Sequence, residues 1–192
     1  WFDSKFYLEA GGFSTPSRGT LDFLGADPDD PGKIHGLAPY GRTAFQSQLG
    51  GGTFEVGAFA LQAHLFPGRD RSTGQSDRYT DFGFDTSWIK PLKSGTLTLN
   101  AHYTHENQSL DATCLLGMED GSIEPGPLGN CANDSLNEVR ADLSYYWHNA
   151  IGVTVSPFSI TGSSNPSIYP DSRTFKPNSS GFQFQVDGTP FG

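Results

Sequence analysis

The sequence predicts an all-β fold, an antiparallel sheet of about eight strands in one domain that covers residues 1–192. Three observations predict it. The chain contains 24 Gly, 13 Pro and 13% aromatic residues, a composition that favours strands and turns over helices. Apolar and polar residues alternate with a period of two in one segment after another. The connections between these segments alternate between long and short.

Eight segments alternate in this way, and we expect each of them to form a strand. In chain order they are residues 5–13, 42–49, 57–65, 79–89, 96–104, 138–145, 152–160 and 180–187. Several of them have the length of roughly 9–11 residues that a tilted strand needs to cross a bilayer.

Two of the first four segments, residues 57–65 and 79–89, show weaker versions of the alternation. In residues 57–65, Phe59 and Leu61 oppose His64, which assigns this histidine to the polar face together with His102. Residues 79–89 place aromatic side chains opposite carboxylates. Residues 5–13 and 42–49 complete this half of the set.

Three of the last four segments show the pattern clearly. Residues 96–104 read TLTLNAHYT, in which every second residue is apolar, and residues 138–145 and 180–187 repeat the pattern. Residues 152–160 complete the set. Such alternation is typical of strands with one apolar and one polar face.

The connections sort into two kinds. Short ones, rich in Gly, Pro or Asn, cover residues 50–52, 90–95 and 148–151, and long polar ones cover residues 14–35, 67–78, 108–135 and 161–179. A soluble sandwich has no reason to sort its loops by side, whereas an outer-membrane barrel has short periplasmic turns and long extracellular loops. The sequence therefore predicts an antiparallel transmembrane β-barrel, or a segment of a larger one.

Ionisable residues lie at mid-strand on the polar side of the pattern. They are Glu9, Arg42, Asp81, Asp85, His102, Arg140 and Asp142. On a lipid face a charge would cost ~2–4 kcal/mol at the bilayer midplane. We therefore expect all seven to face the barrel lumen, where they are wet or paired with one another.

Aromatic residues lie near the predicted strand ends. Trp88, Tyr145, Tyr146 and Trp147 precede short turns, and Phe66, Tyr79 and Tyr103 lie near long loops. Amphipathic rings are favoured at headgroup level, so this distribution predicts girdles at the two membrane interfaces. The alternative is the ordinary enrichment of aromatic residues in strands.

Two cysteines, Cys114 and Cys131, lie in one long polar segment. They lack the spacing of a zinc site or of a covalent haem site. We predict a disulfide that closes this loop, which implies an oxidising compartment. Two unrelated reduced cysteines are the alternative.

The net charge and the last residues of the sequence bear on what this protein binds and on the number of its strands. The net charge of −9 argues against nucleic acid, which is bound by clustered Lys and Arg. The last residues, 189–192, have the sequence of a turn that leads onward. We therefore expect further strands to follow, with a complete eight-stranded barrel as the alternative.

Two segments carry a family resemblance. They read FGFDTSWIKPLKSGTLTLNAHYTHENQSL and NEVRADLSYYWHNAIGVTVSPFSITGSSNP. With the rhythm of loops and turns, they resemble proteobacterial outer-membrane barrel proteins of the kinds called porins or cytochrome-associated outer-membrane proteins. The resemblance covers most of the chain but includes no catalytic motif. It implies an outer-membrane location and a conduit or scaffold role, in the second case beside a separate electron-transfer cytochrome.

Catalytic and cofactor sites are not predicted. A hydrolase would need a base with a nucleophile or carboxylate, and only His102 with Ser144 or Asp142 offers such a set, without a fixed register. The acidic turn at residues 26–32 lacks the full spacing of a calcium loop, and a solvated turn explains it as well. We predict no enzyme, no metal and no cofactor.

The leading functional hypothesis is an outer-membrane barrel that acts as a porin-like channel or as the scaffold or sheath of an envelope assembly. Its expected partners are outer-membrane lipid, lipopolysaccharide and other envelope proteins. Arg69, Arg71 and Arg78 of one long loop are candidates for lipopolysaccharide phosphates. The alternatives are a secreted or surface-exposed soluble β-sandwich that serves as a binding module, and an outer-membrane hydrolase.

Overall fold

In a computed structural model the chain forms one antiparallel sheet, and the structure describes residues 2–3, 5–27, 32–148 and 150–188. The strands are β1 (Phe6–Phe13), β2 (Lys33–Ile34), β3 (Ala38–Leu49), β4 (Gly52–Phe66), β5 (Asp77–Leu92), β6 (Gly95–Ser109), β7 (Asn133–Trp147), β8 (Ile151–Gly162) and β9 (Ser179–Gly188). Two helices are present, α1 (Arg18–Phe23) and α2 (Asp111–Asp120), with 3-10 turns at Pro67–Arg69 and Leu128–Asn130.

The sheet is a meander. Its order is β1-β3-β4-β5-β6-β7-β8-β9, and the short strand β2 pairs with β4 beside this path. The prediction of an all-β antiparallel fold is confirmed, and each of the eight predicted segments lies within or almost wholly within one strand. Strand β2 was not predicted, because two residues are too few to show alternation.

Most strands are longer than predicted. β5 has 16 residues where the alternation indicated residues 79–89, and β4, β6 and β7 have 15 each. The added residues are mostly polar, and they continue the ladder through backbone hydrogen bonds that do not depend on side-chain pattern.

The connections lie at two ends of the sheet. Because successive strands are antiparallel, the short connections share one end, called the turn end here, and the long ones share the other, called the loop end. The long connections are not irregular throughout, since two of them contain α1 and α2. The helix α1 begins after Ser17, whose Oγ accepts a hydrogen bond from the Thr20 backbone N–H at 3.2 Å.

The predicted closure of the barrel is not seen in the described part of the chain. There, β1 and β9 form the two edges of the sheet and do not pair with each other, so the sheet is open. Among the described residues, no helix is both long enough and apolar enough to cross a membrane.

The main cluster of buried apolar side chains lies at the loop end, outside the sheet. It consists of Leu110, Cys114, Ile123, Cys131 and Ala132, in the connection between β6 and β7. We call residues 110–132 the cap. The sheet itself leaves large apolar side chains exposed on one side, as with Phe84 at 57%.

Candidate functional site

The sheet has two faces of different chemistry, and the pairing register assigns each strand residue to one of them. The face that carries Arg42 and Asp85 is called the polar face, and the face that carries Phe84 and Leu143 is called the apolar face. All seven residues predicted to line a lumen share the polar face: Glu9, Arg42, Asp81, Asp85, His102, Arg140 and Asp142. That this face lines a lumen stays a prediction.

All acidic residues of the described strands lie on the polar face. Those on the polar face are Glu9, Glu55, Asp77, Asp81, Asp85, Glu106, Asp134, Glu138, Asp142 and Asp187. The apolar face of these strands has no acidic residue. Its charged residues are Lys33 and Arg78 at the loop end and Lys90 at the turn end.

The strongest ionic contact of the polar face is centred on Arg42 of β3. Its Nε donates to Asp85 Oδ2 at 3.0 Å, and its Nη2 donates to Glu55 Oε1 at 2.8 Å and to Asp85 Oδ1. The guanidinium also lies 5.5 Å from the centre of the Tyr7 ring, and the Tyr7 hydroxyl donates to Glu9. The Arg42 side chain is 19% exposed, so this network is half-buried on the sheet surface.

Gly57 of β4 makes this bridge possible. Arg42 and Asp85 lie on β3 and β5, on either side of β4, and Gly57 is paired with Ala44 and Asp85 between them. A Cβ at Gly57 would lie 2.8 Å from Arg42 Nη2 and 2.9 Å from Asp85 Oδ2. The missing side chain therefore provides the path by which the guanidinium crosses one strand.

We expect Gly57→Ala to displace the Arg42–Asp85 bridge and to lower the free energy of unfolding by about 1 kcal/mol, the scale of a charge-assisted hydrogen bond that is partly exposed. Urea unfolding of the refolded protein measures the change, and the ¹⁵N signal of Arg42 Nε reports the bridge. Gly11→Ala is the matched control, because Gly11 shares the polar face and an added Cβ meets no atom within 4 Å. Equal effects of the two substitutions would contradict the bridge.

On β6 and β7 the charged groups make looser contacts. His102 Nε2 lies 3.6 Å from Glu138 Oε1, and Arg140 Nε lies 3.5 Å from Asp142 Oδ1. The catalytic set considered for a hydrolase is not assembled in the described contacts. Asp142 contacts Arg140, and Ser144 Oγ lies 2.8 Å from Thr154 Oγ1. Among the described residues of the polar face, the ion pairs thus join Arg42, His102 and Arg140 to neighbouring carboxylates.

One face assignment was wrong. The register places His64 on the apolar face, opposite Arg78, whereas His102 lies on the polar face opposite Arg140. The two histidines therefore cannot approach each other within a lumen. The error arose in β4, where Phe59 and Leu61 belong to the polar face despite their apolar side chains.

Six acidic residues of the polar face are not among the seven predicted to line a lumen: Glu55, Asp77, Glu106, Asp134, Glu138 and Asp187. Glu55 shares the phase of Phe59, so the incorrect face assignment of β4 concealed it. Glu138 lies on the polar side of the pattern in residues 138–145, and this signal was sufficient to find it. Its partner His102 lies two residues away diagonally across the β6–β7 ladder.

The aromatic residues predicted to form girdles share one face of the sheet only in part. Trp88, Tyr145 and Trp147 lie on the apolar face at the turn end. Tyr103 lies on the same face nearer the loop end, and Phe66 at the loop end of β4. Tyr79 and Tyr146 belong to the polar face instead. Tyr146 lies between Tyr145 and Trp147, and successive strand residues point to opposite faces.

The cap is fixed by a disulfide and by two buried polar residues. Cys114 and Cys131 are bonded, as predicted, with their Cα atoms 6.0 Å apart. Asp77 of β5 is 0% exposed and accepts hydrogen bonds from the backbone N–H and hydroxyl of Thr113. Asn165, from the β8–β9 connection, donates to the Cys131 carbonyl at 2.7 Å. Three loop-end segments are thereby joined into one unit.

Asp134 anchors the edge of this unit. Its carboxylate accepts hydrogen bonds from Ser163 Oγ and Asn165 Nδ2, both at 2.6 Å. Nearby, burial raises the pKa of Tyr169 above its ordinary value, and the negative charges of Asp134 and Glu106 add to the shift. The phenol therefore stays protonated throughout the neutral range.

Among the described residues, no group of three or more His, Cys, Asp or Glu is arranged to hold a metal ion. The acidic turn at residues 26–32 falls mostly outside the described residues, because 28–31 are not among them.

Comparison of the chain with protein-family models, with curated proteins and with solved structures finds no match.

Proposed function

We propose that this chain forms part of the wall of a β-barrel in a bacterial outer membrane, with its apolar face in lipid and its polar face along an aqueous passage of porin type. The observation that carries the proposal is the complete segregation of acidic residues onto one face of the described strands. A carboxylate in contact with hydrocarbon is costly, while one that faces water or a cation is not.

The cations of the apolar face support the same orientation. Lys33 and Arg78 lie at the loop end and Lys90 at the turn end, so the middle of this face carries no formal charge. Long basic side chains at strand ends can extend their charged groups into the headgroup region. The pattern is that of a strand crossing a bilayer between two polar interfaces.

The height of the apolar band supports it as well. On β7 the apolar side chains of this face run from Val139 to Trp147. At ~3.3 Å per residue this is a length of about 26 Å along the strand, and about 19–22 Å along the membrane normal for a strand tilted by roughly 35–45°, which approaches the apolar band of roughly 25 Å on outer-membrane barrels. Trp88 and Tyr145 mark its turn-end border.

A soluble sandwich is the less favoured proposal. It would bury the apolar face under a second sheet, but the described strands belong to a single sheet, and Phe84, Leu143 and Phe184 are more than half exposed. Exposed apolar areas of this extent mark a surface that something covers. Lipid would cover the whole face at once.

We expect the protein to form cation-selective channels. The polar face carries many carboxylates, and Arg42 and Arg140 are the permanent cations facing them on the described strands. Acidic linings favour cations through the local potential. The measurement is the reversal potential across a planar bilayer that separates two concentrations of KCl, where a several-fold preference for K⁺ over Cl⁻ is expected.

Two results would contradict this proposal. The absence of conductance at any voltage, in a protein shown to be inserted, would remove the passage. Selectivity for anions would mean that the polar face does not line it. The matched variant is Arg42→Gln, which leaves Glu55 and Asp85 without their cation and should increase the preference for cations.

A scaffold role is the second candidate, and the cap favours it. A disulfide and the side chains of Asp77 and Asn165 hold the cap rigidly on the sheet. An ordered surface of this kind suits a permanent protein partner, such as a separate electron-transfer cytochrome or another envelope protein. Co-purification of a stable complex from native membranes tests this role.

A further inference from the structure

The apolar face changes character near the loop end. On β5, β6 and β7 its last positions are Arg78, Thr80, Asn107, Ser109, Asn133 and Ser135. We call these six residues the outer polar patch. They are contiguous, because Arg78 pairs with Ser109 and Ser109 pairs with Asn133, while Thr80 pairs with Asn107 and Asn107 with Ser135.

The outer polar patch lines a cavity of about 360 Å³, together with Gln108, Asp134 and Ser163. Asp134 is the acidic residue of this lining, and its carboxylate is already occupied by Ser163 and Asn165. Arg78 is exposed and forms no ion pair with any described residue. The cavity therefore offers a guanidinium, hydroxyls and amides to an incoming group.

Further positive charge lies beside the cavity. His64 pairs with Arg78, and Phe66, two residues further along the same face, pairs with Lys33. The Arg71 guanidinium lies 4.8 Å from the centre of the Phe66 ring. Asp70, next to Arg71, has its carboxylate engaged by the Ser72 backbone N–H at 2.7 Å.

The position of the patch relative to lipid is set by its strand. Arg78 lies four residues beyond Phe82, the last large apolar side chain of this face of β5. At ~3.3 Å per residue that is about 13 Å along the strand, and less along the membrane normal for a strand tilted by roughly 45°. This height corresponds to the headgroup region, where phosphates lie.

We propose that the outer polar patch binds the phosphate of a lipid headgroup, with Arg78 as its principal ligand. The guanidinium fork matches two phosphate oxygens, and the hydroxyl and amide groups of Thr80 and Asn133 supply neutral donors. The inference rests on the proposed function, since it requires the apolar face to lie in the membrane. It adds a specific ligand class to that function.

The experiment measures bound lipid by native mass spectrometry of the detergent-solubilised protein. The probes are a bis-phosphorylated lipid A and the same lipid without phosphates, with inorganic phosphate as a competitor. Arg78→Gln should weaken binding of the phosphorylated lipid by roughly tenfold to a hundredfold, as expected for the loss of a charge-assisted contact. Lys90→Gln is the matched control, because Lys90 lies on the same face of the same strand at the turn end, and it should leave binding unchanged.

Three results would overturn the inference. Equal binding of the two lipids would show that phosphate is not recognised. An equal loss in Lys90→Gln would mean that any cation at the interface suffices. Full displacement by millimolar inorganic phosphate would assign the cavity to a soluble anion. Flotation of the protein with vesicles tests the proposed function separately: a protein that floats but binds both lipids equally would retain that function and lose only this site.

Discussion

Phe84→Arg is expected to remove ~2–4 kcal/mol from the free energy of folding into a bilayer, which is the cost of a strand arginine at the midplane. Phe84 lies at the centre of β5, on the apolar face, and is 57% exposed. In water its replacement by a charged residue would cost little, because no protein core surrounds it. The large expected effect therefore arises only if lipid covers this face. Urea titration of the protein folded into phosphatidylcholine vesicles measures it.

Asn100→Lys is the matched control for this prediction. Asn100 lies on the neighbouring strand β6, three positions toward the turn end from Tyr103, the partner of Phe84, and it belongs to the polar face, opposite Asp142. A new cation there meets a carboxylate and water, so the free energy of folding should change by less than about 0.5 kcal/mol, as for an ordinary surface substitution. Similar losses in both variants, or no loss in either, would argue against a lipid-facing apolar side.

Much of the sheet could be predicted from the sequence, because alternation is a direct consequence of strand geometry. A residue such as Leu99 and its neighbour Asn100 must point to opposite sides of a strand. Where the two faces of a strand have different surroundings, polar and apolar residues alternate along its sequence. The alternation of long and short connections is likewise visible in the sequence. It reflects a meander in which successive strands are antiparallel.

Strand β4 shows where this reasoning fails. Phe59 and Ala60 are both apolar, yet they lie on opposite faces. The Phe59 ring covers Gly83 on the polar face, where an added Cβ would come within 3 Å of it. Which of two apolar neighbours lies on the apolar face depends on such a gap in the adjacent strand, and the sequence of β4 alone does not contain that information.

Neither the ion bridge of Arg42 nor the hydrogen bonds at the cap could be predicted from the sequence. Arg42 and Asp85 are 43 positions apart, and their contact depends on Gly57 between them. Asn165 and Asp134 are 31 positions apart. Pairings of this range follow from the register of several strands at once. The disulfide was predictable, because both cysteines lie in the same connection and close it locally.

Replacement of both cysteines by serine is expected to unfold the cap while the sheet persists. The disulfide joins residues 17 positions apart, and a crosslink of that span contributes about 3 kcal/mol by chain entropy. The cap core is small, with Leu110, Ile123 and Ala132 as its other buried members. Its few buried apolar side chains are not enough to compensate for the loss of the disulfide. Protection of its amides should fall by roughly a hundredfold or more.

Hydrogen exchange measured at single amides distinguishes this outcome from general unfolding. The reporter is the Ile123 amide, which donates to the Gly117 carbonyl inside the cap at 2.8 Å. Amides of β6 should keep their protection, because their ladders with β5 and β7 do not involve the cap. Treatment of the native protein with dithiothreitol is the control, since it opens the crosslink without changing the sequence. A parallel loss of protection in β6 would show that the cap and the sheet fold as one unit, since Asp77 and Asn165 would then transmit the opening to the strands.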